Sequence, residues 1–204
     1  MEMRLPIQSR ALATRVRIVE ASAQRLVEAG LAGAGTPAVA QGAGMSQGAV
    51  FKHFPTKTHL LAETVAHLLR GLVSAFKAGL PGDASHAPLE ARVEVGVASL
   101  WRVFRSDELR AVFEVYVVAR TDPALEALLE PVLAAHRARI HEEAQALFPE
   151  LAAHADSSLV IDAVVYAMQG AAVGLFGPAL RDDAQNLAFF RRLALRELAH
   201  LLSQ

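Results

Sequence analysis

The amino-acid sequence predicts an all-α protein of about nine helices, in which an N-terminal three-helix unit is joined by a long helix to a C-terminal helical bundle. Apolar residues recur at three- and four-residue spacing over most of the chain, the period of helices with one buried face. Ser, Thr and Asp precede these segments and Gly or Pro ends them, as helix caps and stops do. Hydrophobic residues make up 53% of the chain, which is enough for an extensive core.

The first helix is predicted over residues 10–29, where apolar side chains recur at helical spacing and Gly30 supplies the stop. The residues before it, 1–9, form a short arm that carries Arg4. A second, short helix begins at Thr36, an N-cap residue type, with Pro37 at the first helical position, where no backbone N–H is needed.

A tight turn and a third helix follow directly. Gly44 ends the second helix because glycine adopts the left-handed conformation at little cost. Ser46 then caps the third helix, which Pro55 stops. Thr56 caps a long fourth helix that opens at Lys57.

Two short helices joined by a turn around a glycine form the outline of a helix-turn-helix. In that unit the second helix enters the major groove of DNA, with its first residues facing base edges. Here these residues are Gln47, Gly48 and Ala49. A Gln side chain can pair with adenine through two hydrogen bonds, and small residues allow close approach. The residues placed to reach phosphates are Lys52, His53 and Lys57.

The run from Ala43 to Lys57 (AGMSQGAVFKHFPTK), with Gly30 before it, closely resembles the DNA-binding signature of the tetracycline-repressor (TetR) family. The resemblance covers about residues 13–61 and implies a ligand-responsive repressor, with an activator as the minority alternative. Two positions depart from the family pattern. Phe51 replaces the usual tyrosine and cannot donate that residue's hydrogen bond to a phosphate. Gly35 replaces the usual threonine, which can shift the helix cap by one residue. The predicted DNA-binding residues are Thr36, Ser46, Gln47, Gly48, Ala49, Phe51, Lys52, His53 and Lys57.

Charge is distributed as a DNA-binding N-terminal half requires. The net charge of the whole chain is −1. Residues 1–60, however, hold seven Lys and Arg against three Glu, whereas the remainder holds 13 basic and 18 acidic residues. The excess positive charge therefore coincides with the helix-turn-helix. Within it, Arg15 and Arg17 are either phosphate contacts or exposed solubilising charges, and the sequence leaves both readings open.

The sequence divides into an arm and helix-turn-helix domain at 1–55 and a ligand-binding and dimerisation domain at 56–204. The second domain begins with the connecting helix at 56–80. Further helices are predicted over 88–105, 107–119, 121–148, 158–177 and 182–202. Pro131 is expected to kink the helix at 121–148 or to end a turn in it. The apolar stretch 158–177 is interrupted by polar side chains and is predicted to be a helix buried on both sides rather than a membrane span.

A small-molecule site is predicted in the second domain, because aromatic and amphipathic residues are scattered along its helices. The candidate lining residues are Trp101, Tyr116, Arg120, Tyr166 and Gln169. For each of them, an ordinary place in the core is the alternative. The composition favours a small apolar or aromatic effector.

The two C-terminal helices carry enough apolar surface for a four-helix seam between two copies of the chain. The resemblance favours a homodimer, and a two-fold dimer would present two recognition helices one turn of DNA apart. An intramolecular core is the alternative. The predicted interface residues are Gly170, Gly174, Phe190 and Leu198.

Other classes find little support. Cysteine is absent, which excludes disulfides and thiolate metal sites and is compatible with the cytoplasm. No nucleotide loop, nucleophile elbow or metal-binding His pattern occurs, so no catalytic residue, metal or cofactor is predicted. The remaining alternative is a helical ligand-binding or adaptor protein with a vestigial helix-turn-helix, for which Phe51 and Gly35 are the motivation.

Overall fold

A computed structural model describes residues 7–174 and 183–203, and this part of the chain is all-helical, as predicted. Two short 3₁₀ turns, Ala84–His86 and Pro149–Ala153, lie between the α-helices. The helices are α1 (Ile7–Gly33), α2 (Thr36–Gly42), α3 (Gln47–His53), α4 (Lys57–Ala78), α5 (Leu89–Phe104), α6 (Asp107–Ala119), α7 (Pro123–Leu147), α8 (Ser157–Val173) and α9 (Asp183–Leu202). Most of the predicted N-terminal arm, Arg4 included, lies outside the described residues.

The helices group into two compact units that interleave along the chain. The first unit comprises the described residues up to Gly71 together with Asp107–Ala135. The second comprises Leu72–Ser106 and the described residues from His136 onward. Helices α4 and α7 therefore contribute to both units. The functional division at residue 55 stays a prediction, and packing adds α4 as far as Gly71, α6 and the first half of α7 to the helix-turn-helix unit.

In the first unit, α1 packs against α2 and α6, and α2 packs against α3. The core beneath the short helices contains Ile18, Val39, Val50 and Phe54, each at most 1% exposed. The predicted stop at Gly30 is a real break, because its φ of 64° and ψ of −175° are not helical although helical bonding resumes after it.

A hydrogen bond from α6 fixes the chain just after this break. The backbone N–H of Leu31 donates to Glu114 Oε2 at 2.8 Å. A Cβ atom at Gly30 would lie only 2.9 Å from the same oxygen. The glycine is therefore needed both for its left-handed φ and for the close approach of Glu114.

Helix α7 begins at Pro123, two residues after the predicted start at 121, and is capped by Asp122, whose Oδ1 accepts from the N–H groups of Ala124 and Leu125 at 3.1 and 3.0 Å. The helix does not end at Pro131, which lies inside it. In the first turn the aspartate satisfies N–H groups that have no partner within the helix.

The second unit is built from α5, α8 and α9, which pack against one another. Its α8 corrects one expectation, because only one face of this helix is buried within the chain. Ile161, Val165 and Met168 face inward, whereas Leu159 and Tyr166 are 69% and 57% exposed. Residues 175–177 of the predicted apolar helix lie outside the described residues. No helix in residues 7–174 or 183–203 is long and apolar enough to span a membrane.

Candidate nucleic-acid interface and regulatory site

The turn between α2 and α3 is fixed by backbone hydrogen bonds around Gly44. The N–H of Gly44 donates to the carbonyl of Gln41 at 3.0 Å, and that of Met45 donates to Ala40 at 2.9 Å. This pair of bonds is a Schellman motif, in which the residue after the helix takes a positive φ. Gly44 has a φ of 66° and open space where a Cβ would lie. Its conformation, rather than crowding, therefore explains the glycine.

Ser46 caps α3 as the sequence predicted. Its backbone is extended, and its Oγ accepts from the N–H of Ala49 at 3.2 Å. The prediction that Thr36 caps α2 is wrong by one residue: Gly35 is the N-cap, without a side-chain bond, and Thr36 is the first helical residue. The cap moves because Pro37 fits the second helical position as well as the first, since neither needs its N–H.

Helix α3 is anchored on one side and free on the other. Val50 and Phe54, four residues apart, are each 1% exposed in the core of the first unit. Phe51, in contrast, is 46% exposed. Gln47, Gly48 and Lys52 are also exposed, and Ala49 and His53 are half-buried. Of the α3 residues predicted to read bases or bind phosphates, Gln47, Gly48, Phe51 and Lys52 are thus accessible, whereas Ala49 and His53 are only partly so.

Three residues separate the end of α3 from the start of α4, which is capped by Thr56. Its Oγ1 accepts from the N–H of His59 at 3.2 Å, which confirms the predicted cap. Lys57 follows it and is exposed, whereas Thr36 at the start of α2 is half-buried.

Arg15 has a role that sequence reasoning missed. Its Nη1 donates to the carbonyl oxygen of His53 and its Nη2 to Glu63 Oε1, both at 2.9 Å. The guanidinium also lies over the ring of Phe54, 4.2 Å from the centroid. Arg15 is thus held within the unit, whereas Arg17 is exposed and has no hydrogen bond or ion pair to another residue in the described ranges. The local sequence cannot distinguish the roles of these two arginines. Only their neighbours in the folded structure do.

The five predicted ligand-binding residues are divided between the two units. Tyr116 and Arg120 lie in the first unit, and Trp101, Tyr166 and Gln169 in the second. Trp101 is 4% exposed, Tyr116 and Gln169 are half-buried, and Arg120 and Tyr166 are exposed. Burial raises the pKa of Tyr116, so its phenol stays neutral and keeps its proton for donation. The role of all five in ligand binding stays a prediction.

Trp101 differs from an ordinary core residue in one respect. Its ring packs against Phe190 with centroids 5.6 Å apart, yet its buried Nε1–H has no acceptor among the described residues. Buried indole N–H groups usually find a partner, because leaving one without a hydrogen bond is costly.

The helix that carries Trp101 also holds the last turn of α4. Ser99 Oγ donates to the carbonyl of Phe76 at 2.8 Å, and Arg102 Nη2 donates to Ala75 at 3.1 Å. These carbonyls lie in the last turn of α4, where the regular helical bonding ends, and that of Phe76 also accepts from the N–H of Gly79 at 3.0 Å. Gly79 lies next to these two hydrogen bonds, and a Cβ atom at this position would come within 2.3 Å of Ser99 Oγ. The end of α4 is therefore bound to α5.

The predicted dimer residues differ in exposure. Gly170 and Gly174 lie at the surface of α8 and at its C-terminal end. Phe190 and Leu198 are 3% and 6% exposed within the single chain, which places them in the core of the second unit. Their burial leaves little of either side chain for contact with a second copy.

A capped, glycine-turned helix pair whose second helix has an exposed face is a helix-turn-helix, the motif with which transcriptional regulators place a helix in the major groove of DNA. Residues 18–64 match the model for "Bacterial regulatory proteins, tetR family". The chain is 33% identical over 152 residues to an uncharacterised HTH-type transcriptional regulator of Mycobacterium tuberculosis (strain ATCC 25618 / H37Rv), covering 70% of this chain and 74% of that one. The chain belongs to the TetR family, as its signature predicted.

Solved structures support the fold over nearly the whole chain. A protein of Mesorhizobium loti MAFF303099, described as a TetR-family transcriptional regulator, superposes with a TM-score of 0.68 at 19% identity, covering 93% of this chain and 97% of that one. The multidrug binding protein EbrR, complexed with proflavin, gives a TM-score of 0.64 at 20% identity, covering 90% of this chain and 98% of EbrR.

Proposed function

We propose that this regulator is a ligand-responsive repressor that binds a pseudo-palindromic operator as a homodimer and releases it when a small apolar or aromatic effector binds. The observation that supports DNA reading is the accessible face of α3. Gln47 and Gly48 stand at its start, where such helices meet base edges, while Val50 and Phe54 hold its other face in the core.

Dimerisation is supported by the exposed apolar face of α8. Leu159 and Tyr166 are large, more than half exposed and seven residues apart, so they lie on the same side of the helix. Gly170 continues this side one turn further and, with open space around it, would let a second helix approach closely. This face replaces Phe190 and Leu198 as the proposed contact with a second copy. A dimer doubles the phosphate and base contacts that one helix-turn-helix can make.

Effector response is supported by the contacts between α5 and α4. An effector that accepts a hydrogen bond from Trp101 Nε1 would bind α5, the same helix whose Ser99 and Arg102 hold the carbonyls of Phe76 and Ala75 from another of its sides. A shift of α5 would thereby be transmitted to α4. The N-terminal end of α4 comes directly after the recognition helix in the chain. The effector releases DNA only if it binds the shifted state more tightly than the DNA-bound state.

The first experiment is selection of binding sites from random duplex DNA at two salt concentrations. The proposal predicts an enriched inverted repeat and an affinity that falls steeply with salt, because phosphate contacts release counterions. Proflavin, an aromatic cation that EbrR binds, is then titrated into the labelled complex while fluorescence anisotropy is followed, alongside neutral aromatic compounds. Failure to enrich any site at low salt would favour a ligand-binding protein with a vestigial motif.

Two substitutions separate base reading from phosphate binding. Gln47→Ala is expected to change the preferred base at one operator position, with a cost of about 1–3 kcal/mol there. Lys57→Ala should weaken all duplexes alike and lower the salt slope by about one. Uniform weakening by both substitutions would remove Gln47 from the base-reading residues.

A further inference from the structure

Arg15 joins three helices of the DNA-binding unit through one side chain. It lies on α1, bonds the last carbonyl of α3 at His53 and pairs with Glu63 on α4. An ion pair whose side chains are 38% and 44% exposed contributes little alone. The carbonyl and the ring of Phe54 give the guanidinium a defined place, because both lie at the end of α3.

The carbonyl of His53 is a group that α3 itself cannot satisfy. The last carbonyls of a helix have no partner within it, and a cation there also complements the helix dipole. A seven-residue helix is too short to be stable by its own hydrogen bonds, so its orientation depends on such tertiary contacts. Arg15 supplies one at the end opposite the Ser46 cap.

We propose that Arg15 is a positioning residue, which sets the orientation of the recognition helix α3 and makes it depend on α4 through Glu63. In this role Arg15 holds α3 rather than a phosphate, and two of its five N–H donors already bond to His53 and Glu63. A displacement of α4 carries Glu63 with it and loosens the hold of Arg15 on α3. This last link rests on the proposed function, whereas the positioning of α3 does not.

A buried pair of hydroxyl groups, one of them on the residue after Glu63, fixes the position of Glu63 relative to α1. Thr64 Oγ1 lies 2.8 Å from Ser22 Oγ, and these residues are 0% and 1% exposed. Helices α1 and α4 are therefore held together next to the Arg15–Glu63 pair. Arg15 thus extends an existing α1–α4 joint to α3.

The first test needs no DNA. Amide hydrogen exchange of α3 is measured in Arg15→Lys and Glu63→Ala, with Arg17→Lys as the control on the same helix. Lysine keeps the charge but cannot contact two acceptors while stacking on Phe54. The proposal predicts that exchange in α3 rises about tenfold in the first two variants and is unchanged in Arg17→Lys. Unchanged exchange in Arg15→Lys overturns it, whether or not the chain binds DNA.

The second test uses the duplex obtained by selection and a random duplex. Arg15→Lys should bind the selected duplex about tenfold more weakly and the random duplex as before, because a misplaced α3 loses base contacts rather than phosphate contacts. Arg15→Ala, checked for folding by circular dichroism, should keep the salt slope of the wild type. If Arg15→Ala lowers the slope by about one, or Arg15→Lys binds the selected duplex normally, Arg15 is a phosphate contact or a surface charge.

Discussion

Replacing Gly30 by alanine tests whether the break in α1 is required by the fold. Gly30 has a φ of 64° and a ψ of −175°, a region almost restricted to glycine, where another residue costs about 1–3 kcal/mol. The new Cβ would also lie 2.9 Å from Glu114 Oε2 and displace that carboxylate from the N–H of Leu31. A hydrogen bond to an exposed charged group adds about 1 kcal/mol. We therefore expect Gly30→Ala to lower the free energy of unfolding by about 2–4 kcal/mol.

The assay is urea unfolding followed by far-ultraviolet circular dichroism at fixed protein concentration. Gly71→Ala is the matched control, because Gly71 lies inside α4, has no positive φ and has open space at its Cβ position. It should stabilise the protein by about 0.5–1 kcal/mol. The losses for Gly30→Ala and Glu114→Ala should combine to about 1 kcal/mol less than their sum, since both remove the same hydrogen bond. A loss below about 0.5 kcal/mol for Gly30→Ala would refute the reasoning.

Three further predictions concern the cap of α3, its exposed aromatic residue and an ion pair of the second unit. Ser46→Ala should cost about 1 kcal/mol in urea unfolding and weaken operator binding severalfold, because the N–H of Ala49 loses its acceptor. Thr36→Ala, which removes no cap bond, serves as its control in unfolding. Phe51→Tyr should tighten binding to all duplexes severalfold in anisotropy titrations, since the exposed ring gains a donor for phosphate. The hydrogen bond from Arg92 lowers the pKa of Glu150 to about 2, so its contribution to stability is complete above about pH 4.5 and is lost as the pH falls towards 2. Because Glu150 is 38% exposed, this loss is about 1 kcal/mol in unfolding measured between pH 5 and pH 2.5.

Each of these has an outcome that would contradict it. Equal costs for Ser46→Ala and Thr36→Ala would mean that the Ser46 cap does not hold α3. A tyrosine at position 51 that leaves every dissociation constant unchanged would place this ring away from the phosphates. Glu150→Gln should remove part of the acid sensitivity, and an unchanged pH profile would assign that sensitivity to other carboxylates.

The backbone of the helix-turn-helix was largely predictable from sequence because single residues determine it. Gly30 and Gly44 take positive φ values, and Ser46 caps its helix as its position predicted. These features depend on a residue's own conformational preference or on a side chain that reaches three positions along the chain. Thr36 failed as a cap because neighbouring positions compete for that role, and a shift of one residue to Gly35 changes little in local energy.

Features that depend on distant neighbours were not predictable in the same way. Periodicity placed Phe190 and Leu198 on an apolar stripe, but it cannot tell a core from a contact with a second copy. For the same reason, the sequence predicted that α8 is buried on both sides, although only one face of this helix is buried within the chain. Arg15 and Arg17 have the same local pattern, and only the fold brings His53 and Glu63 to one of them.

The packing of α6 against α1 has a consequence for engineering hybrid regulators. Exchanging the DNA-binding unit between relatives at residue 55 would place Leu31 against another protein's α6, and its hydrogen bond would form only where that α6 carries an acceptor at the position of Glu114. A head transplanted with its own α6 surface keeps this contact. Matching that surface is therefore a design variable for chimeras of two regulators.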